Sequence, residues 1–66
     1  MKLIINAQIK EFEDNSTLYA VLDQLDLKDK IMAAAVNMQI VKQDNWQNHH
    51  LKDGDKLELL DFVGGG

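Results

Sequence analysis

The chain has 66 residues, 45% of them hydrophobic, and no cysteine, so we expect one small domain held together by packing, without disulfides or a thiolate-bound metal. Its eleven carboxylates and seven lysines give a net charge of −4 without any arginine, which argues against nucleic-acid or nucleotide binding and favours a protein partner with a basic surface. The chain has neither an apolar run of membrane-spanning length nor a signal-peptide pattern, which predicts a cytoplasmic protein that makes no contact with a membrane.

The first third of the chain predicts a hairpin followed by a helix. Residues 2–6 and 8–12 are short apolar runs joined by a tight turn at Asn6-Ala7, which predicts two antiparallel strands. Ser16 and Thr17 then offer a hydroxyl to the free amides at a helix start. The helix itself is predicted by apolar residues at i, i+3, i+4 and i+7, namely Leu18, Val21, Leu22 and Leu25, and we assign this stripe to the core.

The middle of the chain carries conflicting signals. The Ala33-Ala34-Ala35 run has high helix propensity, and alanine is depleted in strands. However, the run ends at Asn37 within six residues of Ile31, and the apolar pair Ile40-Val41 follows at hairpin distance. We therefore predict strands near residues 32–36 and 39–42, with small side chains that would let the helix approach the sheet closely.

Residues 43–52 read as an irregular polar loop. Its Trp46 is the only tryptophan of the chain, and we expect its ring to anchor the loop over the edge of the core. The adjacent His49 and His50 are weak evidence for a metal site, because neighbouring side chains diverge and no cysteine assists, so no metal site is predicted. Asp53-Gly54-Asp55 is a strong turn signal before the last strand.

The last predicted strand, residues 56–63, is apolar on parts of both faces. If Leu57 and Leu59 point into the core, alternation directs Leu60 and Phe62 outward. A bulge that shifts the register would instead bury them. We favour an exposed apolar patch that docks a partner, because large exposed apolar side chains generally have a function.

The chain ends in Gly64-Gly65-Gly66, directly after this strand. Glycine is narrow and conformationally free, so we expect a domain of residues 1–62 with a flexible tail, residues 63–66, that presents the α-carboxylate of Gly66. Activated as a mixed anhydride with a nucleotide, that carboxylate becomes a group that a sulfur or amine nucleophile can attack. The alternative is a frayed terminus or an expression remnant.

The order of elements, hairpin, helix and further strands, predicts an α+β domain with one main helix packed across one face of a mixed sheet. In so short a chain with a glycine end, this order resembles the β-grasp (ubiquitin-like) fold and, within it, the ThiS family of sulfur carriers in bacterial thiamine biosynthesis. The resemblance covers the whole chain, and the Ala33-Ala34-Ala35 run is its clearest departure. It rests on the helix stripe, the hairpin of residues 34–41, Trp46, the Asp53-Gly54-Asp55 turn and the ending Phe62-Val63-Gly64-Gly65-Gly66.

The resemblance implies a chemistry for the tail. An E1-like adenylating enzyme of the ThiF type would use ATP to adenylate Gly66, and a cysteine desulfurase system would supply the sulfur that turns it into a thiocarboxylate. A thiazole synthase of the ThiG type would then take that sulfur. Gly64 and Gly65 would form the part of the tail that enters the partners' active sites. The chain itself would bind no cofactor and would be a carrier rather than an enzyme, without catalytic residues.

For docking to these partners we select Leu60, Phe62 and Val63, with Asp55, Glu58 and Asp61 as electrostatic guides. Two alternatives stay open: a molybdopterin-type sulfur carrier with the same terminal chemistry, and a ubiquitin-like interaction module whose tail is chemically idle. A covalent modifier of lysines is a further, weaker alternative.

Overall fold

The computed structural model of the protein describes residues 1–61, and for Asp61 the backbone alone. Its strands are assembled into one mixed sheet in the order β2-β1-β5-β3-β4, parallel between β1 and β5 and antiparallel in the other pairs. The elements in chain order are β1 (Lys2–Ile5), β2 (Gln8–Glu11), α1 (Leu18–Gln24), β3 (Ile31–Val36), β4 (Gln39–Val41), a short 3-10 helix (Gln43–Asn45) and β5 (Lys56–Asp61).

These elements confirm the predicted fold class and most of the predicted bounds. The helix begins after Thr17, as its capping pattern predicts, and the alanine run lies in a strand. That strand forms because β3 lies between two partners, with Ala34 opposite Leu59 of β5 and Val41 of β4. The tertiary pairing therefore overrides the helix propensity of alanine.

The core lies between one face of the sheet and α1. Leu18, Val21 and Leu22 of the predicted helix stripe are completely buried, while Leu25 is partly buried against the same cluster. This confirms the stripe as core. The sheet and the loops contribute the remaining buried apolar side chains: Leu3, Ile5, Phe12, Ile31, Ala34, Val36, Trp46, Leu51 and Leu57.

The loop after β4 is held by the start of the helix. The amides of Leu18 and Tyr19 donate to the carbonyls of His49 (2.8 Å) and Trp46 (3.0 Å), and the Thr17 hydroxyl accepts from the amide of Ala20 at 3.1 Å. The loop thus satisfies amides that a helix start leaves free. Trp46 is only 2% exposed, and its Nε1 donates to the Val41 carbonyl at 2.9 Å, so the ring belongs to the core itself and not to its edge.

Both hairpins are closed without glycine. The central residues of the two turns all have positive φ: 47° and 72° at Asn6 and Ala7, and 50° and 73° at Asn37 and Met38. Two such residues in a row are typical of a type I′ turn, whose twist matches that of the flanking strands. The turn before β5 uses the predicted glycine, Gly54, at a φ of 87°.

Candidate functional site

The predicted site lies at the end of β5, where the described part of the chain stops. Gly64, Gly65 and Gly66, together with Phe62 and Val63, lie outside the described residues, so their predicted roles remain predictions, as does the domain boundary at 62/63. The site residue within the described range is Leu60. Its side chain is 52% exposed, whereas Leu57 on the same strand is fully buried. The expected outward direction of Leu60 is therefore confirmed, and its docking role stays a prediction.

The backbone of β5 next to Leu60 is held by the side chain of Asn6. The amide of Leu59 donates to Asn6 Oδ1 at 3.0 Å, and Asn6 Nδ2 lies 3.5 Å from the Leu59 carbonyl oxygen. The parallel pairing of β1 with β5 ends at Ile5 and Leu57. The Asn6 side chain thus continues the ladder after β1 has turned away, and it fixes the strand that leads into the tail.

A β-bulge in β3 lies opposite the end of β5. The register moves by two residues in β3, from Ile31 to Ala33, while it moves by one in β5, from Asp61 to Leu60. Ile31 and Ala34 are consequently both buried, whereas Met32 between them is 53% exposed. A bulge in β5, the alternative to an exposed patch, would have buried Leu60. The structure places it in β3, where Leu60 stays exposed and Met32 joins it at the surface.

The sheet face that α1 leaves uncovered carries further exposed apolar residues, which we call the outer face. Ile9 on β2 and Ile40 on β4 are 69% and 74% exposed. Directly paired residues share a face, so the registers align Ile9 with Ile4 and Lys56, and align Ile40 with Ala35 and Glu58. The outer face therefore has an apolar part near Leu60, and charges separate that part from Ile9.

The acidic residues predicted as guides have different surroundings. The Asp55 carboxylate accepts hydrogen bonds from Asn37 Nδ2 and from the Lys52 amide, both at 2.9 Å, so it orders the turn before β5. Glu58 is exposed on the outer face. The side chain of Asp61 lies outside the described part of the chain. Of the three, Glu58 is thus available to a partner on the outer face.

Two other groups of polar side chains, one at His50 and one at Lys28, lie away from this site. Residues 1–61 contain no group of three or more His, Cys, Asp and Glu that could hold a metal ion, and His50 Nδ1 lies 3.1 Å from the Asn15 carbonyl oxygen. Lys28 Nζ lies 3.2 Å from the Tyr19 hydroxyl and 3.3 Å from Asp23 Oδ1. These contacts, the one to Tyr19 first, raise the pKa of Lys28, so this lysine stays protonated and ties the helix to the segment after it.

The sheet order and the one α-helix that the described residues place across one face define a β-grasp protein of the ubiquitin-like class. Its similarity to a solved structure is close: the crystal structure of the thiamine biosynthesis protein ThiS from Geobacter metallireducens superposes with a TM-score of 0.84 at 23% identity, and each chain is covered completely. That likeness supports the fold. Among residues 1–61, no helix has the length and apolar character needed to cross a membrane.

The chain belongs to the ThiS family, whose family model matches residues 3–66. It is 33% identical to the sulfur carrier protein ThiS of Escherichia coli over 66 residues, the full length of both chains. It is also 36% identical, over all 66 residues, to a thiazole synthase of Paramagnetospirillum magneticum. The chain spans 20% of the length of that protein. The role of the chain is therefore that of a sulfur carrier in thiamine biosynthesis, and it is not an enzyme.

Proposed function

We propose that the chain carries sulfur as a thiocarboxylate on Gly66. The observation that carries this proposal is the family match, which runs through the glycine tail to Gly66 itself. A carboxylate is a poor electrophile, so the reaction needs activation: the Gly66 carboxylate attacks the α-phosphate of ATP, and pyrophosphate leaves to give the acyl-adenylate. A ThiF-type adenylating enzyme supplies this step, because the chain contributes the substrate group and the partner contributes the catalysis.

Sulfur transfer then follows as acyl substitution. The terminal sulfur of a persulfide, formed from cysteine by a desulfurase, attacks the Gly66 carbonyl, and AMP leaves with the bonding electrons. A thiol cleaves the resulting acyl disulfide and is itself oxidised to a disulfide, which releases the thiocarboxylate. Held on the protein, this sulfur reaches the next enzyme without diffusing away as sulfide.

The length of the tail determines where the partners bind. Five residues, 62–66, follow Asp61, and a fully extended chain of five residues spans at most about 17 Å. An enzyme whose active site holds Gly66 must therefore touch the domain near the end of β5. Leu60 lies there, and Phe62 and Val63 follow it in the sequence, which supports these three residues as the docking contacts.

The thiazole synthase is the acceptor that the comparisons favour. A protein named thiazole synthase contains a region that aligns with all 66 residues of this chain, and we take the rest of that polypeptide to hold the synthase itself. A carrier and its acceptor joined in one polypeptide meet at high effective concentration. The separate chain would meet the same acceptor in the cytoplasm by diffusion.

Intact-mass measurement tests the proposed chemistry. The protein is incubated with ATP, its adenylating enzyme and a cysteine desulfurase with cysteine, and its mass should rise by the difference between sulfur and oxygen. The matched control lacks Gly66 alone and should keep the mass of the untreated variant while unfolding at the same temperature. An unchanged mass of the full chain, with an adenylating enzyme that charges another carrier, would exclude the proposal and favour an idle tail. Thiamine auxotrophy of a deletion strain, without loss of molybdopterin, would separate the two carrier pathways.

A further inference from the structure

The outer face has a shallow depression beside Leu60, which we call the alanine cup. It is open to solvent, has a volume of about 380 Å³, and its lining is mostly apolar. The lining residues that matter here are Ala33 and Ala35 in its floor, Ile40 and Leu60 at its sides, and Asn6 and Glu58 at its rim. Three other depressions are larger, and most of their lining residues are polar. Two lie between β4 and the loop that follows it and one lies beside Glu11 and Gln24, all away from the end of β5.

The cup arises from the strand registers. Ala33 is paired with Leu60, and Ala35 lies between Glu58 on β5 and Ile40 on β4. Directly paired residues have their side chains side by side on one face. Two methyl groups between larger side chains therefore leave a hollow, and the bulge at Met32 places Ala33 on this face.

We propose that the alanine cup receives one bulky apolar side chain of the thiazole synthase when the carrier docks. This inference rests on the proposed function, because the short tail requires the enzyme that receives sulfur from Gly66 to touch the domain at the end of β5. The cup lies at that end. It has room for an aromatic, methionine or leucine side chain, and a buried aromatic anchor is the kind of residue that contributes most of the binding energy in protein interfaces.

The rim adds a charge requirement. Glu58 is exposed beside the cup, and within residues 1–61 it makes no ion pair. A lysine or arginine next to the inserted apolar side chain would match it and would be attracted by the net charge of −4. The proposed partner surface is thus an apolar side chain flanked by a cation.

The test is to fill the cup and measure binding. Ala35→Leu places a large side chain in the floor, on an exposed strand face where leucine is tolerated. The matched control is Ala20→Leu, the same substitution at an exposed position of α1. The dissociation constant of each unmodified carrier for its cognate thiazole synthase is measured by calorimetry. We expect Ala35→Leu to weaken binding about tenfold or more, since blocking one anchor costs above about 1.4 kcal/mol, and Ala20→Leu to bind as wild type.

A second variant keeps the test decisive if Ala35→Leu fails to fold. Ile40→Ala removes one side of the cup at a residue that is 74% exposed, so the fold should be retained, and we expect binding to weaken several-fold. Unchanged affinity of both variants for the thiazole synthase would overturn the proposed role of the cup, whether or not the carrier accepts sulfur. Unchanged synthase affinity with impaired adenylation would also overturn it, since the cup would then belong to the adenylating enzyme. Failure of the wild-type chain to gain sulfur would reject the proposed function alone, because these affinities need no thiocarboxylate.

Discussion

The two faces of the sheet differ in how far their apolar side chains are buried. On the inner face, Leu3 and Leu57 are completely buried against the helix. On the outer face, Ile40 and Leu60 keep more than half of their surface exposed. The inner residues stabilise the fold, whereas the outer ones contribute little to it. A chain this small can thus keep one sheet face for its core and leave the other exposed, and the exposed face is where we propose that the partners dock.

The largest effect is expected from a substitution on the inner face. Leu57→Ala should lower the free energy of unfolding by about 3–4 kcal/mol, because it leaves a cavity among fully packed side chains. Leu60→Ala is the matched control on the same strand and should cost below about 1 kcal/mol, since its side chain is half exposed. Urea unfolding followed by Trp46 fluorescence measures both. Similar losses for the two variants would contradict the division into a stabilising face and a docking face.

An intermediate effect is expected at the turn that holds the end of β5. Asn6→Ala should destabilise the protein by about 1–2 kcal/mol, because alanine tolerates the positive φ less well and the hydrogen bond from the Leu59 amide is lost. Asn6→Asp keeps the acceptor and the turn preference, so it should lose less. Hydrogen exchange at the Leu59 amide should be faster in Asn6→Ala and nearly unchanged in Asn6→Asp. Equal exchange in both variants would show that the side chain does not hold the strand.

The smallest effect concerns Met1, directly before β1. The α-amino group donates to the Phe12 carbonyl at 2.7 Å and to Asp14 Oδ1 at 2.9 Å. The hydrogen bond with Asp14 raises the pKa of Met1 above its usual 8.0, and the same bond lowers the pKa of Asp14 below its usual 3.8.

The pH window follows from these two shifts. A raised amine pKa contributes stability that is fully present below the usual pKa of the amine. This stability is lost as the pH rises through the pKa of the folded state. A lowered carboxyl pKa contributes stability that is fully present above the usual pKa of the carboxyl group. This stability is lost as the pH falls through the pKa of the folded state. Asp14→Asn should therefore lower the melting temperature between the usual values of 3.8 and 8.0, and less above the raised pKa of Met1. Glu13→Gln is the matched control. A pH-independent loss in Asp14→Asn would contradict the ion pair.

Local patterns in the sequence predicted most elements of the fold. The helix stripe from Leu18 to Leu25 and the Thr17 cap determine α1, since 3.6-residue periodicity and an N-terminal hydroxyl are local properties. Asparagines at the two hairpin turns and the Asp53-Gly54-Asp55 signal likewise mark where the chain reverses. For the exposure of Leu60, alternation along β5 was sufficient.

The tertiary structure decided the features that depend on distant partners. The alanine run becomes a strand because β4 and β5 pair with it, and neither partner is apparent in the run itself. The site of the bulge, the outward position of Met32 and the cup beside Leu60 follow from the register of β3 against β5. Asn6 appears in the sequence as a turn residue, but its hold on Leu59, 53 positions away, exists only because the parallel pairing of β1 with β5 brings them together. Sequence periodicity reports which face a side chain takes, whereas strand registers over long separations determine which side chains become neighbours.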